Sequence, residues 1–154
     1  MNAQTVHATC VSIEGVGVLL RGASGSGKSD LGYRLIAEQG AQLVADDQTV
    51  LTSDQSCLRA TCKEGWVGQL ELRGLGIVTV PHDLDVPIRL VIDLVDRGEV
   101  PRLPEPAFVL LAGVRIPVLK LHAFDLSTPA KILVAAEHLP RSGFPGSDGR
   151  VGKA

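Results

Sequence analysis

At 154 residues the chain has the size of one domain, and its 15 Lys and Arg against 17 Asp and Glu leave a formal charge of −2. That balance excludes the basic excess of a nucleic-acid binder, and 45% apolar against 21% charged residues excludes wholesale disorder. Aromatic residues are only 3%, so Val, Leu, Ile and Ala must build the core. Three cysteines, Cys10, Cys57 and Cys62, cannot all pair, and no second Cys or His pair stands at zinc-ligand spacing. The N-terminus lacks an apolar signal region, and the longest apolar runs are too short to cross a bilayer. A cytoplasmic protein with reduced thiols, no structural zinc, and neither a membrane nor a nucleic acid as partner is expected.

In chain order, Val6–Ile13 and Val16–Leu20 read as two strands joined by a tight turn at Gly15. The glycine-rich stretch 22–29 follows. Ser29–Gln39 reads as a helix, with Leu31, Leu35 and Ile36 on one face and Gly40 at the C-cap. Leu43–Ala45 is a short strand ending in Asp46 and Asp47. Alternating runs at Thr49–Thr52, Leu58–Cys62, Val67–Leu72 and Gly76–Val80 predict strands and turns, and Ile88–Val95 a further strand. Pro101, Pro104 and Pro106 predict a loop. Phe108–Leu121 is strand-like, and Ser127–Leu139 reads as the last helix, stopped by Pro140. The domain is placed at 1–139 and a mobile tail at 140–154. Strands outnumber helices, so the fold class is α/β with a mixed sheet flanked by few helices.

The chemistry concentrates in Gly22-Ala23-Ser24-Gly25-Ser26-Gly27-Lys28-Ser29, the phosphate-binding loop pattern. Glycines let backbone N–H groups converge on phosphate oxygens, and the helix that follows aims its positive end at the same charge. Lys28 supplies a cation for the β- and γ-phosphates, and Ser29 a hydroxyl for Mg²⁺. Such a loop requires a strand-terminal carboxylate nearby. Two places qualify: Asp46 and Asp47 after Leu43–Ala45, and Asp93 after Leu90–Ile92; periodicity does not choose between them. Glu71, by pattern alone, is the solvent-facing member of an alternating strand.

Read together, His7, Glu14–Leu20, Gly22–Asp30, Leu43–Asp47 and Glu71–Ile77 resemble, in order and spacing, the catalytic domain of bacterial HPr kinase/phosphorylase. The resemblance is good over residues 5–95 and weaker to 139, and it corresponds to a short form without the family's N-terminal domain. It implies a P-loop fold similar to phosphoenolpyruvate carboxykinase, with ATP and Mg²⁺ as cofactors. The implied activity is phosphorylation of a seryl hydroxyl on the phosphocarrier protein HPr. By the same resemblance Lys28 binds ATP, Ser29 and Glu71 hold Mg²⁺, and Asp46 accepts the seryl proton. His7 and Arg102 join them as catalytic residues, Asp93 is structural, and the family's hexameric habit implies a homo-oligomer. The family's arginine- and glycine-rich segment before the last helix, which serves phosphorolysis, is replaced here by Pro117–Asp125. The reverse reaction is therefore expected to be weak. Two other readings stand beside this one: a regulatory module that senses ATP or phosphate without transferring it, and a P-loop kinase acting on another substrate.

Overall fold

The computed structural model describes residues 2–54 and 56–144. Its elements in chain order are β1 (Asn2–Ile13), β2 (Val16–Arg21), α1 (Lys28–Gln39), β3 (Gln42–Ala45), β4 (Gln48–Asp54) and β5 (Cys57–Thr61). They are followed by β6 (Gln69–Leu72), β7 (Gly76–Thr79), β8 (Val86–Leu94), a 3₁₀ turn (Arg97–Glu99), β9 (Phe108–Leu111), β10 (Val114–Leu121) and α2 (Thr128–Ser142). The expected class, a mixed sheet with few helices, is the one found.

Eight of the described strands form one sheet in the order β2-β1-β4-β5-β8-β10-β9, with β3 on β1 and β2 also paired to β8. Two strands change partners along their length. The first half of β1 (Asn2–His7) pairs with β4 and the second half (Ala8–Ile13) with β2, both antiparallel. Similarly, β8 begins against β5 and continues parallel to β2 and then β10. The pairings β1–β4–β5–β8–β2 therefore close on themselves. A closed ring hides the main-chain edges of its strands and encloses a core.

That core contains Ala8, Cys10, Leu19, Leu51, Leu58, Ala60 and Val91. A second core lies where α1 and α2 cover the sheet, with Val11, Leu20, Leu31, Leu35, Leu90, Ile92 and Ile132 fully buried. Each such side chain stabilises the fold by about 1.5–3 kcal/mol through apolar burial. In β1 the alternation of side chains sends Cys10 to the first core and Val11 to the second, so both faces of its second half are covered.

Three expectations are corrected or refined. The first strand begins at Asn2 rather than Val6, because β4 continues the pairing. The strand-like stretch Phe108–Leu121 is strand as expected but divides into a hairpin: Ala112 (φ 47°) and Gly113 (φ 82°) make a two-residue turn with both central residues left-handed. The last helix continues through Pro140 to Ser142. Proline lacks one N–H there, but Leu139 and Phe144 are buried on either side, and Gly143 N–H still reaches the Leu139 carbonyl. Of the tail expected at 140–154, residues 145–154 lie outside the described residues. Among those described, no helix is long and apolar enough to cross a membrane.

Candidate active site

The loop from Gly22 to Gly27 joins β2 to α1. Gly25 (φ 82°) and Gly27 (φ 96°) adopt backbone angles that a side chain strongly disfavours. Ser26 N–H donates to the Ala23 carbonyl, and Leu31 N–H to Gly27, which starts the helix. No side chain caps α1 at Gly27, so the first amides of the helix keep their donors for a ligand. Space in the loop is tight, since a Cβ at Gly22 would fall 2.5 Å from Ser26 Oγ. That hydroxyl is buried without a partner. Lys28 is 6% exposed, and its ammonium donates to the Gly22 and Ala23 carbonyls at 2.9 and 3.2 Å. Uncapped amides, an orphaned hydroxyl and an ammonium held on the loop are the donor set of an oxyanion site.

Asp46 is the hub of the adjoining cluster. Its Oδ1 accepts from Ser29 Oγ at 2.6 Å and from Thr9 Oγ1 at 3.1 Å, and its Oδ2 accepts from Glu71 N–H at 3.1 Å. Four elements thus meet on one carboxylate: the start of α1, β1, the end of β3, and β6. The β6–β7 hairpin forms a separate two-stranded sheet, and its main chain, rather than the exposed Glu71 carboxylate, makes the bond. Asp47 forms the corner between β3 and β4. Its φ is 66°, and Gln48 N–H closes a tight turn on the Asp46 carbonyl at 2.7 Å. The Asp47 amide donates to Thr9 Oγ1 at 3.3 Å, and its carboxylate meets His7 Nε2 at 2.6 Å. His7 and Thr9 straddle the point where β1 passes from β4 to β2, which brings the corner and the phosphate loop together.

Ser29, Asp46 and the Glu71 main chain are joined by hydrogen bonds, with His7 attached through Asp47, while Lys28 is held on the adjacent loop by the Gly22 and Ala23 carbonyls. The Glu71 carboxylate, the expected Mg²⁺ ligand, is exposed and takes no part in these bonds. Arg102 lies exposed in the loop 101–107, and none of the bonds that build the cluster involves it. The rival acid, Asp93, is held in two places by Arg21, at 2.7 and 3.0 Å, its neighbour in the parallel β2–β8 register. Thr9 escaped the sequence reading. Its signal was the two-residue spacing from His7 on one strand, which puts both side chains on the same face. A cleft of about 200 Å³ opens on Asp46 and Asp47, lined also by Gln48, Cys62, Lys63, Trp66 and Gln69. Burial pushes the Cys62 thiol up.

This arrangement has relatives. A family model described as the HPr serine kinase C-terminal domain matches residues 1–99. An HPr kinase/phosphorylase of Lactococcus lactis is 34% identical over 131 residues, 74% of this chain and 42% of that protein. One from Xylella fastidiosa is 42% identical over 79 residues, 51% of this chain and 25% of that protein. The chain thus spans less than half the length of the curated relatives it matches. The solved structure of the HPr(Ser) kinase/phosphatase from Coxiella burnetii superposes with a TM-score of 0.76 at 29% identity, covering 87% of this chain and 90% of that one. The match to the family model includes the phosphate loop, the Asp46 corner and the β6–β7 hairpin whose backbone reaches it, and on that ground the chain belongs to the HPr serine kinase C-terminal domain family.

Proposed function

We propose that the chain transfers the γ-phosphoryl group of ATP to a seryl hydroxyl of the phosphocarrier protein HPr. The observation that carries this reading is the direct bond between the Ser29 hydroxyl of the phosphate loop and the Asp46 carboxylate, 2.6 Å long. It supports the reading because a carboxylate able to take a proton would then stand beside the hydroxyl proposed for the triphosphate's metal.

The donor set fits Mg²⁺-ATP. No group of three or more His, Cys, Asp or Glu converges as a metal cage among the described residues. Mg²⁺ requires none, because one or two protein oxygens, phosphate oxygens and water complete its shell. When bound, Mg²⁺-ATP supplies the activated phosphoryl group and the charge that offsets its developing negative oxygens. The uncapped amides of α1 and the Ser26 hydroxyl would hold phosphate oxygens. Lys28, now on the Gly22 and Ala23 carbonyls, would supply the cation that offsets the charge of the β- and γ-phosphates. Ser29 and the exposed carboxylate of Glu71 would hold the metal. Asp46, freed of Ser29 but still held by Thr9 and the Glu71 amide, orients the seryl hydroxyl at the mouth of the cleft and takes its proton. His7 buttresses the corner through Asp47, and Arg102, exposed in the loop 101–107, is the remaining residue assigned a catalytic role by the family resemblance. A loose transition state makes this positioning worth more than a strong base.

The reverse reaction, phosphate attack on phosphoserine with release of pyrophosphate, is weak. The segment Pro117–Asp125 offers only Lys120 and His122 where two anions need a planar guanidinium clamp, and His122 Nδ1 is already engaged by the Val95 carbonyl. The chain also self-associates, through the exposed Leu103 and Leu110 and the partly exposed Phe108 at the β9 edge of the sheet.

Incubation with γ-labelled ATP, Mg²⁺ and purified HPr tests the main reading. Label on the seryl residue is expected. Tight ATP binding with no transfer would assign a sensor instead, and transfer only to another acceptor would reassign the substrate.

A further inference from the structure

One exposed aromatic ring stands against the phosphate loop. Strands β2, β8 and β10 are mutually parallel, so the segments that follow them emerge at the same edge of the sheet. The loop after β10, residues 122–127, is thereby laid beside Gly27. Ala123 is buried there, and a Cβ at Gly27 would fall 2.9 Å from the Ala123 Cβ and 2.8 Å from Phe124 Cζ. Phe124 touches the loop yet remains 55% exposed.

The segment cannot easily fold the ring away, because its backbone is tied on both sides. Val95 N–H donates to the Leu121 carbonyl at 2.9 Å, and Thr128 Oγ1 to the His122 carbonyl at 2.6 Å. Arg34 of α1 donates to the carbonyls of Ala123 and Asp125. Arg97 pairs with the Asp125 carboxylate at 2.6 Å. The His122 ring meets Phe124 edge-on, with centroids 5.8 Å apart, and steadies it. A hydrophobic ring fixed half in water at the rim of an anion site has one face to offer a ligand whose charged end occupies that site.

We propose that Phe124 is the platform on which the base of the bound nucleotide stacks. This rests on the reading of Gly22–Ser29 as a triphosphate site and adds to it where the nucleoside goes. A base leaving the phosphate cradle exposes two flat apolar faces, and Phe124 covers one. Stacking reads the π-face and not the hydrogen-bonding edge, so purine triphosphates bind with similar affinity and pyrimidine ones more weakly.

Equilibrium binding of ATP and of inorganic tripolyphosphate, both with Mg²⁺, tests the assignment by calorimetry and without turnover. Phe124→Leu keeps apolar packing on Gly27 and removes the π-face; Phe124→Tyr keeps both. ATP affinity is expected to fall about tenfold in Phe124→Leu and to stay near wild type in Phe124→Tyr, with tripolyphosphate unchanged in each. Equal weakening of both ligands in Phe124→Leu would show that the ring merely props the loop, and unchanged ATP affinity would show that it does not touch the base; either overturns the proposal. Lys28→Ala, expected to weaken both ligands, reports on the phosphate site. Wild-type tripolyphosphate binding that Lys28→Ala does not alter would defeat the triphosphate reading itself, and the platform with it.

Discussion

The two oxygens of Asp46 have different neighbours, and that asymmetry sets what single substitutions should do. Oδ1 accepts two hydroxyls, of which Ser29 belongs to the proposed ligand site and Thr9 to the strand beneath. Thr9 is fully buried, and its methyl packs where a Cβ at Gly32 would lie 3.3 Å away. Thr9→Val keeps that packing and deletes the hydroxyl, leaving the Asp47 amide without its partner and Asp46 less firmly aimed. It is expected to lower kcat about tenfold with KM for ATP unchanged, and to cost about 1–2 kcal/mol of stability in urea titration. Thr9→Ser should restore kcat, whereas a role confined to packing would give the opposite ranking. Asp46→Asn removes the proposed proton acceptor and is expected to cut turnover about 100-fold or more while ATP still binds. Asp93→Asn should instead weaken the Arg21 pair, costing stability with far less effect on rate. Steady-state kinetics beside thermal melts separates the two.

At the scale of elements, close approach and local charge do the positioning. Gly17 on β2 has no room for a side chain: a Cβ would lie 2.7 Å from the Pro87 carbonyl oxygen, a backbone atom of β8. Gly17→Ala must separate two strands of the closed ring and is expected to destabilise by about 1–3 kcal/mol, read from the urea midpoint. The loop between β10 and α2 depends on a charge. The hydrogen bond from Arg97, aided by its charge and by those of His122 and Lys131, holds the Asp125 carboxyl below its ordinary value. A depressed folded-state pKa stabilises the loop above the ordinary carboxylate value, about 3.9, and that contribution is lost as pH falls through the depressed value. Carboxyl NMR should give an Asp125 midpoint below the ordinary one, and Arg97→Ala should move it back up. An unmoved midpoint would show that the pair does not form.

For the molecule as a whole, the ring of strands predicts how the three thiols react. Cys10 lies at the centre of the core enclosed by the ring, and burial pushes its thiol well above the ordinary range. Cys57 is exposed at the start of β5, and Cys62 is half-buried beside the cleft. A thiol reagent added to native protein should label Cys57 first and Cys62 more slowly, reaching Cys10 only with global unfolding. Labelling of Cys10 at the pace of Cys57 would mean that the ring opens readily. Self-association belongs to this scale too: light scattering across micromolar concentrations is expected to return a particle larger than the 16.2 kDa chain.

Much of the fold and site was legible along the chain because their determinants are local. Alternation marked β4 and β5, helical spacing with a terminal glycine marked α1, and glycines at fixed offsets marked the phosphate loop, each within one stretch of sequence. His7, Asp46 and Glu71 stood out only through the resemblance to a family, because pattern alone left Asp46 level with Asp93 and read Glu71 as solvent-facing. The hairpin turn was not legible, because Ala112 is an atypical residue for φ 47° and only pairing of β9 with β10 selects that conformation. Nor was the choice between the acids decided by the residues themselves. It required Arg21 to lie beside Asp93 in a register formed across 72 residues, and Ser29, Thr9 and Glu71 to converge on Asp46 from three other elements. The sequence by itself marked the phosphate-loop pattern and two candidate acid positions. The tertiary structure decided which carboxylate meets the phosphate loop and which aromatic ring stands at its rim, because those distances arise from pairing between segments that local propensity does not encode.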